Sequence, residues 1–145
     1  MANIEEFLTA NEEEEVVEAI RQAEKKTSGE IRVHIEKSSK GEIWERAMEV
    51  FHLLKMDNTK EDNGVLIYVA IDDRNFVIYG DKGINEVVPP DFWESTKDEI
   101  AAEFKKGNFK QGLINGITRA GHELQVHFPW SEDSDENQLS DKISR

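Results

Sequence analysis

The sequence predicts an α/β fold, a three-layer sandwich in which a small mixed β-sheet carries helices on both faces. Three observations lead there. Val65 to Ile71 is a continuous apolar run, too short for an average helix and rich in β-branched residues, as a central strand covered on both sides requires. Ile31, Val33 and Ile35 alternate with Arg32, His34 and Glu36, so Glu30 to Glu36 reads as a second strand with one buried and one polar face. Between them Ile43, Trp44, Ala47, Met48, Phe51 and Leu54 repeat at helical spacing, which makes strand, helix and strand a right-handed crossover with parallel strands.

The remaining elements follow in order. Thr9 and Asn11 each precede a glutamate by three residues, and Glu12 to Glu15 crowd the first turn of a helix whose last turn carries Lys25 and Lys26. The acids there serve the helix dipole. Val16, Val17, Ile20 and Ala23 give it an apolar stripe, and Thr27-Ser28-Gly29 ends it. Asp72-Asp73-Arg74-Asn75 is a turn cluster that returns Phe76 to Tyr79 antiparallel to the central strand, until Gly80-Asp81-Lys82-Gly83 stops it. Pro89-Pro90 breaks the chain before Asp91, the expected cap of a helix with Trp93, Lys97, Ile100 and Phe104 on its inner side. Asn108 begins a last helix through Phe109, Leu113, Ile117, Ala120 and Leu124. Its internal Gly112, Gly116 and Gly121 each cost about 1 kcal/mol relative to Ala, which close packing of the helix backbone on the sheet would justify.

The length suits one domain, residues 1–130, and the polar stretch 131–145 reads as a disordered acidic tail. Thirty-one acidic against eighteen basic residues give a formal charge of −13, which repels phosphate backbones and anionic lipid. Nucleic acid and membrane surfaces are therefore unfavourable partners. The N-terminal residues have neither a basic nor a long apolar segment, and no run approaches the roughly 18 apolar residues of a spanning helix. The expectation is a cytoplasmic monomer. With no cysteine, thiolate metal sites and thiol nucleophiles are excluded.

Thr27-Ser28-Gly29-Glu30-Ile31 and Asn63-Gly64-Val65-Leu66 open strands, Asp73-Arg74 turns the hairpin and Gly80-Asp81-Lys82-Gly83-Ile84 closes it. With Phe104, Gly107, Phe109 and Gly112-Leu113, this ordered set resembles the TPM domain, over roughly residues 5 to 128. That domain is shared by a thylakoid-lumen protein of photosystem II repair, a worm acetylcholine-receptor modulator and many bacterial proteins. The chain looks like the cytosolic bacterial branch. The resemblance implies helices around a small mixed sheet, a divalent-metal site of acidic residues, often calcium, and a disputed acid-phosphatase activity.

The residues bear on each of these. If the parallel strands begin at Glu30 and Gly64 and the antiparallel arm ends at Gly80, then Glu30, Asp62, Asn63 and Asp81 converge on one edge, as hard oxygen ligands for Ca²⁺ or Mg²⁺. Each alone is explained by turn geometry; only the convergence favours a metal. Asp57, Thr59 and Glu61 could add ligands, but the loop does not follow the calcium-hand pattern. Asp72-Asp73 lies at the opposite edge, where open α/β sheets bind ligands, yet DDRN lacks the second aspartate and threonine of aspartyl phosphatases. The hairpin turn explains it better. His34, His52, His122 and His127 read as surface or capping residues, and Trp44, Trp93, Phe51 and Phe104 as core. Two functions remain: a divalent-cation-binding interaction module that meets a protein partner, which we favour, or a metal-dependent acid phosphatase acting on phosphomonoesters.

Overall fold

The computed structural model describes residues 7–130 and 143–144. Along the chain run α1 (Ala10–Glu24), β1 (Glu30–Glu36), α2 (Ile43–Leu53), a 3₁₀ turn at Met56–Asn58, β2 (Gly64–Ala70), β3 (Asn75–Gly80), the short α3 (Lys82–Asn85), α4 (Phe92–Lys105) and α5 (Phe109–His127). The sheet order is β1-β2-β3, with β1 parallel and β3 antiparallel to β2. Every residue of β2 is buried, as its unbroken apolar run requires.

Period-two alternation sorts the strand side chains between two cores. Ile31, Val33, Ile35, Val65, Ile67, Val69, Phe76 and Ile78 meet Val16 and Ile20 of α1, Ile100 of α4, and Leu113, Ile117 and Leu124 of α5. On the other face Leu66, Tyr68, Ala70 and Val77 meet Ala47, Val50 and Phe51 of α2 and Met56 of the 3₁₀ turn. The polar face of β1 departs from the expectation of a solvent face. His34 is buried there and stacks on Tyr68, ring centroids 5.8 Å apart, so of the four histidines this one is not a surface residue.

Local chemistry accounts for the helix ends only in part. Thr9 Oγ1 accepts from Glu12 N and Glu12 Oε1 accepts from Thr9 N, a complete capping box. Asp91 and Asn108 make no side-chain cap. In α4 Ile100 is buried as expected and Trp93 and Phe104 pack partly buried against the core, but Phe92 and Thr96 complete the buried stripe and Lys97 is exposed. Trp44 is 47% exposed and lies 5.1 Å from the ring of Tyr79, so it belongs to the surface and not the core.

The glycines of α5 serve helix–helix contact more than contact with the sheet. A Cβ at Gly112 would stand 2.6 Å from the Phe104 ring, at Gly116 2.6 Å from Ile100 Cδ1 and at Gly121 2.8 Å from Ala23 Cβ. At Gly121 only glycine lets α1 approach so closely, whereas at Gly112 and Gly116 the nearest atoms belong to side chains of α4. The α1–β1 link is tied to the end of α5, where Thr27 Oγ1 donates to Leu124 O (3.0 Å) and Ser28 N to Phe128 O (2.9 Å). The expected tail, 131–142 and 145, lies outside the described residues. At Ile143 and Ser144 the chain is bound to β1: Ile143 is buried in the larger core and Ser144 forms a parallel bridge with His34.

Candidate functional site

The starts of β1 and β2 and the end of β3 meet at one edge of the sheet, because Glu30 pairs with Gly64 and Val65 with Gly80. Backbone bonds lock the corner. Glu30 N donates to Asn63 O (3.4 Å) and Asp81 N to Gly64 O (2.9 Å). Gly83 N donates to Asp62 O at 2.8 Å, and a Cβ on Gly83 would fall 2.2 Å from Glu61 O and 2.6 Å from Asp62 O. The turn into α3 therefore presses directly on the 61–62 backbone. Asp62 itself is left-handed, with φ 53°, a conformation aspartate tolerates better than most residues.

All four expected residues lie at this edge in different settings. Glu30 and Asn63 are buried, and Asn63 Nδ2 donates to Ser28 Oγ at 3.2 Å. Asp81 caps α3 with Oδ1, which accepts from Lys82 N at 2.8 Å. Asp62 is half-exposed and turned towards Lys82, Oδ2 to Nζ 3.7 Å. Asn63 Oδ1 and Asp81 Oδ2 are shielded from solvent and have no hydrogen-bond partner among the described residues. Such oxygens are uncommon in a folded chain. Among the described residues no three histidine, aspartate or glutamate side chains gather closely enough to hold a metal ion by themselves.

The opposite edge holds a cluster that the sequence reading did not assemble. Glu36 Oε2 accepts from Arg46 Nε (3.0 Å) and from the Tyr68 hydroxyl, its Oε1 accepts from Arg46 Nη2, and His34 Nε2 stands 3.2 Å from Oε1. Burial alone would push this carboxyl up, but the Arg46, Tyr68 and His34 contacts outweigh it and hold it at about 2. Burial first, and Glu36 second, push the Tyr68 hydroxyl up. Ionised and already engaged, Glu36 neither takes nor gives a proton near neutrality. The trace in the sequence was the polar trio Arg32, His34 and Glu36, whose cover by α2 no local pattern reveals.

Asp73 is likewise engaged. It accepts from Ser39 N (2.9 Å) and from the hydroxyls of Ser38 (3.0 Å) and Ser39 (3.2 Å), bonds that hold its carboxyl below the usual range, the Ser39 backbone N–H first. Its role is to clamp the β1–α2 loop to the hairpin. Ser38 and Ser39 thus act as donors to this carboxylate.

The model of the TPM domain matches residues 2–123. The chain belongs to the TPM domain family. Among solved structures it is similar to the BA42 protein of the psychrophilic bacterium Bizionia argentinensis, with 62% identity over 99% of both chains and a TM-score of 0.89. Two further solved structures are more distant. The N-terminal domain of a P. gingivalis protein is 20% identical over 84% of this chain and 79% of that one, TM-score 0.68. The N-terminal domain of a Corynebacterium glutamicum protein is 10% identical over 92% and 79%, TM-score 0.58. These two share the fold. No curated protein matches the chain.

Proposed function

We propose that this TPM domain is a divalent-cation-binding interaction module, whose Ca²⁺ or Mg²⁺ is held at the edge of Glu30, Asp62, Asn63 and Asp81. The observation that carries the reading is the pair of shielded oxygens, Asn63 Oδ1 and Asp81 Oδ2, at adjoining strand ends. A hard cation would satisfy both, and carboxylates on either side would complete its charge balance. The described acids do not form a ready cage, so weak affinity follows, Kd on the order of 10⁻⁴ to 10⁻³ M. A net charge of −13 adds a favourable field for the cation and disfavours nucleic acid or anionic bilayer as partner. No described helix is long and apolar enough to cross a membrane. The reading keeps a cytoplasmic monomer that meets a protein partner.

The alternative, a metal-dependent acid phosphatase, gains nothing from the acids at the far edge: Glu36 is saturated with donors and Asp73 is spent on the serine loop. The test is a Ca²⁺ titration followed by thermal shift. Millimolar Ca²⁺ should raise the melting temperature modestly, and Asp81→Asn, which keeps the helix-capping oxygen but loses the charge, should abolish the rise. A rise that survives Asp81→Asn and Asp62→Asn and disappears in Asp73→Asn would move the cation to the hairpin. Absence of any response in the unaltered chain would end the cation reading, and steady phosphomonoester turnover would revive the hydrolase.

A further inference from the structure

A three-stranded sheet has two edges, each a row of backbone N–H and C=O groups able to receive another strand. In β1 the even-numbered residues serve β2, as Glu30 N donates to Asn63 O and Glu36 O accepts from Ile71 N. The backbone N–H and C=O groups of Ile31, Val33 and Ile35 therefore point away from β2, along the free edge, while their side chains stay in the core. The structure treats the two halves of this edge differently. At the lower half the Glu24 carboxylate reaches across from α1 and accepts from Ile31 N at 3.0 Å, so a side chain closes the edge. At the upper half the closure is a piece of backbone: Ser144 N donates to Val33 O (2.9 Å) and Ile35 N donates to Ser144 O (3.0 Å), in parallel register with His34. Ile143 is 8% exposed within the larger core, and Ser144 Oγ lies 2.9 Å from His34 Nδ1.

We infer that the Val33–Ile35 edge of β1 is a docking site for an extended basic peptide that adds as a parallel strand, and that Ile143–Ser144 is its resident, displaceable occupant. Such a strand gains affinity from main-chain bonds and selectivity from the pockets met by alternate side chains. Here the two determinants are an aliphatic residue entering the core and a small hydroxyl bonded to His34. The resident is held by proximity. Trp130 N donates to Lys26 O (3.2 Å) near the foot of β1, on the order of 25 Å from His34. Twelve residues, 131–142, separate the two points in sequence, and a chain of that length can reach roughly 40 Å, enough to join them. An effective concentration of about 1 mM is typical of such a link, and a longer strand with more backbone bonds can displace a two-residue one. Charge selects the newcomer. The tether carries five acids, whereas Ile143 and Ser144 are flanked in sequence by Lys142 and Arg145, and a basic peptide is drawn to a chain of net charge −13. A second acidic copy is repelled.

The inference names a surface for the interaction module proposed above and uses the other end of the strands from the cation edge, so the two can be tested apart. The probe is an N-acetylated, C-amidated peptide of residues 139–145, Leu-Ser-Asp-Lys-Ile-Ser-Arg, which carries a net positive charge, titrated in EDTA into full-length chains labelled for NMR. Ser144→Pro removes the N–H that donates to Val33, and Ile143→Asp removes the apolar anchor. Circular dichroism checks that both variants stay folded. The peptide should shift the Ile35 amide and the His34 ring in each variant, at least about tenfold more tightly than in the unaltered chain, whose edge is occupied. The same peptide with Asp in place of its isoleucine should not bind. Unmoved Val33–Ile35 resonances in both variants, or equal affinity for the unaltered chain, would overturn the inference. So would a concentration-dependent dimer of the unaltered chain with exchanged tails, since the edge would then belong to a second copy. Adding Ca²⁺ afterwards to the same samples reads the cation edge separately.

Discussion

Glu36 ties three elements together: β1 through itself and His34, α2 through Arg46 and β2 through Tyr68. Replacing it by glutamine leaves the half-buried Arg46 and the buried His34 beside a neutral amide, and should cost about 1–3 kcal/mol in urea unfolding at neutral pH. The same carboxyl makes stability pH-dependent. Its folded value of about 2 lies below the ordinary 4.5, so its contribution is complete above about pH 4.5 and is lost as pH falls towards 2. After discounting for solvent this amounts to about 1–2 kcal/mol. His34, held below its ordinary 6.5 first by burial and opposed by Glu36, acts in the same sense at higher pH, being neutral in the fold and easier to protonate once unfolded. Urea midpoints at pH 7 and pH 3 should therefore differ more for the unaltered chain than for Glu36→Gln. His34 and Glu36 were visible in the sequence, with Arg32, as an alternating polar face. What stayed hidden was their cover, because Arg46 lies ten positions away on a helix whose own periodicity does not name its neighbour.

At the level of elements, the last helix shows how a sequence states a cost without stating its reason. Three internal glycines signalled close approach, and the approach is real, but α1 and α4 make it more than the sheet does. The three sites should respond differently to alanine. At Gly116 the clash is with the end of Ile100, a flexible side chain that can turn away, so the strain and the helix-propensity gain should nearly cancel. At Gly121 the obstacle is Ala23 Cβ, which has no rotamer to change, so α1 must retreat at a cost of about 1–3 kcal/mol. Thermal unfolding of Gly121→Ala and Gly116→Ala side by side checks this. Equal melting temperatures would mean that α1 moves freely over α5. The hairpin and the parallel crossover were legible in the sequence, because a continuous apolar run, a turn cluster and an alternating run leave few alternatives.

For the whole molecule, Ile143 matters out of proportion to its place in the sequence. Two residues near the end of a polar run carry no periodicity, and nothing local marks them as part of a core. Only the sheet edge they cover gives them meaning. Ile143→Asp should lower the melting temperature by about 3–8 °C, the scale of losing one modest apolar contact in a domain of this size, and calorimetry of the full chain measures it. An unchanged transition would show that the end of the chain adds nothing to the fold. The meeting of Glu30, Asp62, Asn63 and Asp81 at one edge was legible for a complementary reason: strand ends are set by register, so the residues bordering them had to converge whatever their chemistry.

The unequal cores have a further consequence in hydrogen exchange. Above one face of the sheet α1 and α4 both pack on α5; below the other, α2 rests on Ala47, Val50 and Phe51 with only the 3₁₀ turn beside it among the described residues. Regions with fewer buried partners open at lower free energy than the global transition. Amides of Ile43–Leu53 should therefore exchange well before those of Gly64–Ala70, in one cooperative step. That opening would bare Tyr68 and release Arg46 from Glu36 while β1, β2 and β3 remain paired, so the protein would breathe through a single face.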